Sequence, residues 1–233
     1  LIPLLELRME VHLSDGMTDA IIDDVAGLGI RTIEVELFKA PGAEAARNAS
    51  HETGDVTWTM WREDMVFRFQ GEILTPYSHF ETLLQKLRPV SGSTFVDLGT
   101  AYGRPGILIG SRYPRLQFVG YELVPQRAAE GERVLRALDF KNTKVIQQHL
   151  GELNFRPVLG DYYFIYDYGS SEAIRKSLRD ILEVTAGRKV VIIARGPRTG
   201  SIVRKEFPAF QPSGQVGEGP RAGVRDRLPA PGK

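Results

Sequence analysis

The sequence predicts an α/β protein, a doubly wound and mostly parallel sheet preceded by an N-terminal α+β extension. Two observations lead there. Short apolar strands and helix-period segments alternate from Phe80 to Ala194, which in a compact chain means parallel strands with helical crossovers. A Gly-rich turn also follows the first strand of that array, where such sheets expose the carboxyl ends of their strands. The bulk figures agree: the 233 residues are 42% hydrophobic and 25% charged, close to ordinary globular proteins.

The elements follow in order. Met17, Ile21, Val25 and Leu28 recur at helical spacing behind Ser14-Asp15, a capping pair, and the stretch ends at Gly29. Ile33, Val35 and Leu37 alternate with Glu34 and Glu36, the pattern of a half-buried strand. Lys39 to Asp55 reads as loop or weak helix; Met65, Phe67 and Phe69 alternate again as a second strand or an extended approach to the core. Phe80 to Leu87 is helical and stops at Pro89. Strands are predicted at Thr94–Leu98, Gln117–Glu122, Lys144–Gln148, Tyr162–Tyr166 and Lys189–Ala194. Helices fall between them, from Ile107 to near Pro114, from Pro125 to Leu138 and from Glu172 to Thr185. From Pro208 to Lys233, 10 of 26 residues are Pro or Gly and neither template fits, so this stretch reads as irregular, with no closing hairpin. The expected organisation is therefore an extension over 1–66, a ligand-binding domain over 67–207 and a Pro/Gly-rich tail over 208–233.

Charge is distributed by segment. Thirty basic and 29 acidic residues leave +1 overall, but residues 1–66 carry −8, residues 67–194 carry +4 and residues 195–233 carry +5. A near-neutral total argues against a nucleic-acid wrapper, and the acidic extension points toward a cationic partner. The absence of cysteine excludes disulfides, thiolate metal sites and thiol catalysis. His12, His51, His79 and His149 are too scattered for a metal-ligand spacing, and neither a nucleophile elbow nor a P-loop occurs. Asn48-Ala49-Ser50 is a sequon without a secretion signal to give it meaning; Trp58 and Trp61 read as packing residues, with an aromatic lip over a substrate as the alternative. No apolar run reaches the ~20 residues a membrane span needs. Leu1–Leu7 carries Glu6 and no basic flank, so it is not read as a signal peptide. A start at Leu reads as a fragment, and a soluble, cytoplasmic protein is expected.

The turn after the first strand carries the chemistry. Val96-Asp97-Leu98-Gly99-Thr100-Ala101-Tyr102-Gly103 lacks the G-x-G-x-x-G spacing of dinucleotide binders, and Asp97 would repel a pyrophosphate while attracting an ammonium group. Glu122, 23 residues past Gly99, ends the second strand, where an acid can accept both hydroxyls of a ribose. A cationic amino acid joined to a ribose describes S-adenosylmethionine.

Those two segments, with Val119-Gly120-Tyr121-Glu122 as the second, resemble motifs I and II of the class I S-adenosylmethionine-dependent methyltransferases, a Rossmann-like superfamily, over about residues 70–195. Gln70-Gly71-Glu72 is similar to the Y-G-E loop of the non-SET histone-lysine methyltransferases. The resemblance implies S-adenosyl-L-methionine as cofactor, held by Glu72 at its methionine end, by Asp97, Gly99, Thr100, Ala101, Gly103 and Glu122, and by His149, which can stack on or hydrogen-bond the adenine. Three positions depart from the pattern: Ala101 replaces the middle glycine, Gln70 the tyrosine, and His149 stands where an acid often meets the adenine amino group. An alanine is tolerated there at negative φ and strained at positive φ.

Methyl transfer is an in-line displacement that depends on alignment of the nucleophile. Asp167 and Tyr168, after the fourth strand, are the candidate catalytic pair, to hold an acceptor amine and to line its channel. The N-P-P-Y form expected of enzymes acting on nucleic-acid amino groups is absent. The expected acceptor is thus a protein lysine or a small cationic amine, with a catalytically inactive binding protein or scaffold as the alternative.

Overall fold

The computed structural model describes residues 15–39, 74–210, 212–215 and 223–226. Helices α1 (Asp15–Ala26) and α2 (Ile30–Lys39) are the described elements within the expected extension, and α3 (Tyr77–Leu87) leads into the sheet. Then follow β1 (Thr94–Leu98), α4 (Arg104–Arg112), β2 (Gln117–Glu122), α5 (Pro125–Ala137), β3 (Thr143–Gln147) and β4 (Tyr162–Tyr166). The remaining elements are α6 (Ser171–Val184), β5 (Val191–Arg195), α7 (Pro197–Glu206), β6 (Pro212–Gln215) and β7 (Gly223–Asp226). The strand order is β3-β2-β1-β4-β5-β7-β6, with β1 to β5 parallel and β7 antiparallel to both neighbours.

Buried on both faces, the central strands need no polar alternation. Phe95, Phe118, Phe164 and Ile193 meet α1, α3, α4 and α5 on one face. Val96, Leu98, Ile165 and Ile192 meet Ile174, Leu178 and Ile181 of α6 and Ile202 and Val203 of α7 on the other. The loop after β1 starts where Leu98 pairs with Tyr121, so the carboxyl ends of β1 and β2 stand side by side. Prolines at the first turns of α4, α5 and α7 suit positions whose N–H would lack a helical partner.

Three expectations change. The Ile33–Leu37 alternation is a helix, not a strand: Ile30, Ile33, Glu34 and Leu37 recur at 3.6-residue spacing, and Ile33 and Leu37 pack on Val124. The apolar stripe of α1 faces outward. Met17 and Val25 are 57% and 60% exposed, while Thr18, Asp19, Ile22, Asp23 and Ala26 form the buried face. The C-terminal stretch is not wholly irregular either, since β6 and β7 form a hairpin that completes the sheet along β5. Backbone hydrogen bonds alone can recruit such short strands, so their sequence carries no apolar signature. Helix α7 has no counterpart among the sequence-predicted elements. Ser14, the Met65–Phe69 alternation, Trp58, Trp61 and Glu72 lie outside the described residues.

The outward stripe has a cause in charge. Arg104, the first residue of α4 and 2% exposed, donates from Nη1 to Asp19 at 3.0 Å and from Nε and Nη2 to Asp23. The Tyr77 hydroxyl donates to Asp23 at 3.0 Å, the Tyr77 amide to Asp19 at 3.1 Å, and the guanidinium lies 5.3 Å from the Tyr77 ring centre. A buried arginine must have its carboxylates, because an uncompensated charge inside costs several kcal/mol, by order of magnitude. Helix α1 is therefore turned to bury its acids with Ile22 and Ala26, leaving Met17, Ile21 and Val25 outside.

Candidate functional site

Asp97, the penultimate residue of β1, and Glu122, the last of β2, lie toward the carboxyl edge of the sheet on neighbouring strands, and both are buried. Burial pushes the Asp97 carboxyl up to about 7; the Thr100 hydroxyl beside it works against the rise and the Glu122 charge adds to it. The Thr100 Oγ1 is itself buried and makes no well-formed hydrogen bond among the described residues. Burial also raises Glu122, against which the Arg127 charge and two backbone amides act. Those amides are Ala101 N, donating to Oε2 at 2.8 Å, and Val124 N, donating to Oε1 at 2.9 Å.

The loop between the two acids is tightly held. The amides of Gly99 and Thr100 both donate to the Tyr121 carbonyl at 2.9 Å. Gly99 has φ 89°, and a Cβ there would lie 2.7 Å from the Tyr168 Cβ, so glycine is demanded by backbone and by neighbour alike. Gly103, at φ 72°, caps α4, and a Cβ there would meet Val145 at 2.7 Å. Ala101 takes the left-handed conformation at φ 51°, so the departure from glycine does carry strain.

Tyr168 thus lies directly against Gly99. Its hydroxyl is committed elsewhere, bonding Ser177 Oγ and the Ala173 carbonyl on α6, and burial pushes the phenol well above its ordinary range. Asp167, at φ 31°, accepts from the amides of Arg198 at 3.2 Å and Thr199 at 2.7 Å at the start of α7. Arg198 Nη1 also donates to the Gly169 carbonyl at 2.6 Å. The candidate catalytic loop is fastened to two helices. His149, exposed, follows the end of β3 beside Gln148, whose amide donates to the Glu122 carbonyl at 2.8 Å.

Several residues of the site carry no motif. Glu34 of α2 accepts from Arg127 Nε at 2.8 Å and Nη2 at 3.0 Å, and from the Tyr102 hydroxyl at 2.5 Å. Gly29 N donates to Glu130 at 2.7 Å, and Arg133 donates to the Gly27 carbonyl at 2.5 Å. Asp19, Asp23 and Glu34 of the acidic extension are therefore neutralised by the core's own arginines. At the end of β5, the Arg195 guanidinium lies 4.8 Å from the Tyr166 ring centre, and burial lowers its pKa. Glu34 and Arg127 are 93 residues apart, so the only usable sequence signal was Arg127 in the first turn of the helix after Glu122.

No family model and no curated protein sequence matches the chain. Solved structures do match its fold. TrmN from Thermus thermophilus superposes with TM-score 0.54 at 16% identity, over 69% of this chain and 51% of that one. The yhhF protein of Escherichia coli, described as a candidate methyltransferase, superposes with TM-score 0.52 at 17% identity, over 65% of this chain and 86% of that one. A SAM dependent methyltransferase from Aquifex aeolicus aligns at 16% identity and TM-score 0.49, over 64% of this chain and 89% of that one. The match thus spans about half the length of TrmN. The fold is the Rossmann-like methyltransferase fold. Among the described residues, no helix is long and apolar enough to cross a membrane.

Proposed function

We propose that this chain, whose fold is that of the Rossmann-like methyltransferases, is a class I S-adenosylmethionine-dependent methyltransferase. Fold alone does not assign an activity. The observation that carries the reading is the pair of buried acids, Asp97 and Glu122, flanking a tightly held glycine turn. A carboxylate has about four lone-pair positions, so Glu122, with two taken by amides, keeps two for a ribose diol. Asp97 would hold the cofactor's ammonium group, Gly99 and Gly103 give the backbone room, Glu72 would meet the methionine end, and His149 would stack on the adenine. When bound, the cofactor supplies an electrophilic methyl carbon on a sulfonium.

The acceptor we infer is a protein lysine or a small cationic amine. Asp167 first orders its loop by capping α7; its unused lone-pair positions are what it can offer to an acceptor N–H. Tyr168 contributes its ring rather than its hydroxyl, packed on Gly99. Neighbouring elements thereby fix an alignment that supplies much of the acceleration in a displacement. Cytoplasmic residence completes the reading.

Isothermal titration of the intact chain with S-adenosylhomocysteine tests it. We expect saturable one-site binding that Asp97→Asn weakens by about tenfold or more; no heat from the wild-type chain would sink the reading. A second reading, a binding protein of the same fold that has lost transfer, is favoured by the commitment of Asp167 and the Tyr168 hydroxyl to structural bonds. Radiolabelled methyl transfer to any component of a cell lysate dismisses it. Binding without transfer supports it.

A further inference from the structure

Arg195 closes β5 as a cation without an acid. Its register partner on β4 is Tyr166, and its guanidinium lies 4.8 Å from the centre of that ring. Arg104 and Arg127, buried more deeply, are each met by carboxylates. Among the described residues Arg195 is met by none: burial lowers its pKa and only the Tyr166 hydroxyl opposes the drop. Asp167, the residue after Tyr166, does not serve it. That carboxylate is turned to the first amides of α7, at 2.7 and 3.2 Å, and lies over Gly196, where a Cβ would collide with it. A half-buried guanidinium stacked on a ring keeps its edge, a fork of coplanar N–H donors, for a planar anion.

The sheet says what that anion belongs to. Phe95, Phe164 and Ile193 share one face, so Arg195, two residues past Ile193, stands on the same face as Asp97, two past Phe95. Asp97 is in register with Phe164, and Phe164 with Ile193. Arg195 and Asp97 therefore lie two strands apart, about 10 Å, with an offset of about 7 Å along the strands. The cofactor's own carboxylate is bonded to the carbon that bears its ammonium group, and so stays with Asp97. Arg195 instead adjoins the loop of Asp167 and Tyr168, read above as the acceptor's. We propose that Arg195 is a specificity-determining residue that binds a carboxylate of the methyl acceptor, which is then a small amine that also carries a carboxylate. The inference rests on the methyltransferase reading above and narrows its acceptor. One guanidinium balances the single charge of a carboxylate and matches its plane; a phosphate dianion would keep a charge to spare in a half-buried place.

The test follows the Arg195 Nε–H resonance of the intact chain saturated with S-adenosylhomocysteine, assigned by its loss in Arg195→Lys. Acetate should shift that resonance saturably and methylamine should not. Arg195→Met should weaken acetate by about tenfold, the worth of one charge-assisted fork. Arg195→Lys should restore part of the loss, because an ammonium keeps the charge without the fork. Arg204→Met, which removes an exposed arginine of α7, should bind acetate as the wild type does. In a cell lysate, label from S-adenosylmethionine should enter small molecules retained on an anion exchanger. The proposal is overturned by an unshifted resonance, by equal loss in Arg204→Met, by inorganic phosphate binding more tightly than acetate, or by label in protein alone. A tenfold loss of S-adenosylhomocysteine affinity in Arg195→Met also overturns it, since the arginine would then hold the cofactor's carboxylate. A wild-type chain that binds no S-adenosylhomocysteine fails the cofactor reading instead, and acetate titration of the unliganded chain still decides the carboxylate site.

Discussion

Ala101 occupies the left-handed region at φ 51° with its amide bonded to Glu122, so its strain is held in place by the acid it serves. Glycine there removes about 1 kcal/mol of backbone strain, less the entropy an unfolded glycine regains. Ala101→Gly should therefore raise the melting temperature by a few degrees at most and never lower it by as much. Asp97 has a pH signature. Its carboxyl is pushed up to about 7 in the fold against an ordinary value near 4, so between those limits the folded chain keeps a proton the unfolded chain has released. Its contribution to stability is complete below pH ~4 and is lost as pH rises through ~7. Urea melts at a series of pH values should show that decline, and Asp97→Asn should flatten it. Both residues were legible, Asp97 from its place at a strand end and Ala101 from an interrupted glycine pattern. Arg127, Glu34 and Tyr102 were not. A charge pair spanning 93 residues has no local periodicity, and either partner alone looks like a solvated surface group.

At the scale of elements, strands buried on both faces could be read to within two residues, because no polar face competes with their apolar runs. Helices α1 and α2 could not be read that way. In α2, Ile33, Val35 and Leu37 satisfy period two, yet only the helix puts Glu34 on the same side as Ile30 and Leu37, where Arg127 and Tyr102 need it. In α1 the apolar stripe was real but the burial followed the acids. The pair Ile22 and Val25 separates the two accounts: Ile22→Ala should cost about 2–5 kcal/mol by denaturant melting. Val25→Lys should fall within about 0.5 kcal/mol of wild type. Reversed magnitudes would mean the stripe, not the ion cluster, faces the core.

For the molecule as a whole, the near-zero charge is partly an internal settlement. Three acids of the extension are spent on Arg104 and Arg127, so the −8 of residues 1–66 overstates the field an acceptor meets. The hairpin of β6 and β7 likewise gives β5 a neighbour and removes it from the sheet edge, a role that composition alone hid. The ion cluster around Arg104 has a consequence for the covalent chain. It clasps α1 to the core from the far side of residues 40–73, and the Glu34–Arg127 pair clasps α2 independently. Both clasps are noncovalent and do not depend on chain continuity between Lys39 and Leu74. A single proteolytic cut within residues 40–73 should yield two polypeptides that elute together on gel filtration at neutral pH, and Arg104→Met combined with Arg127→Met should let them part. The protein would then be assembled from two pieces, as reconstituted enzymes are, with the N-terminal piece exchangeable in trans.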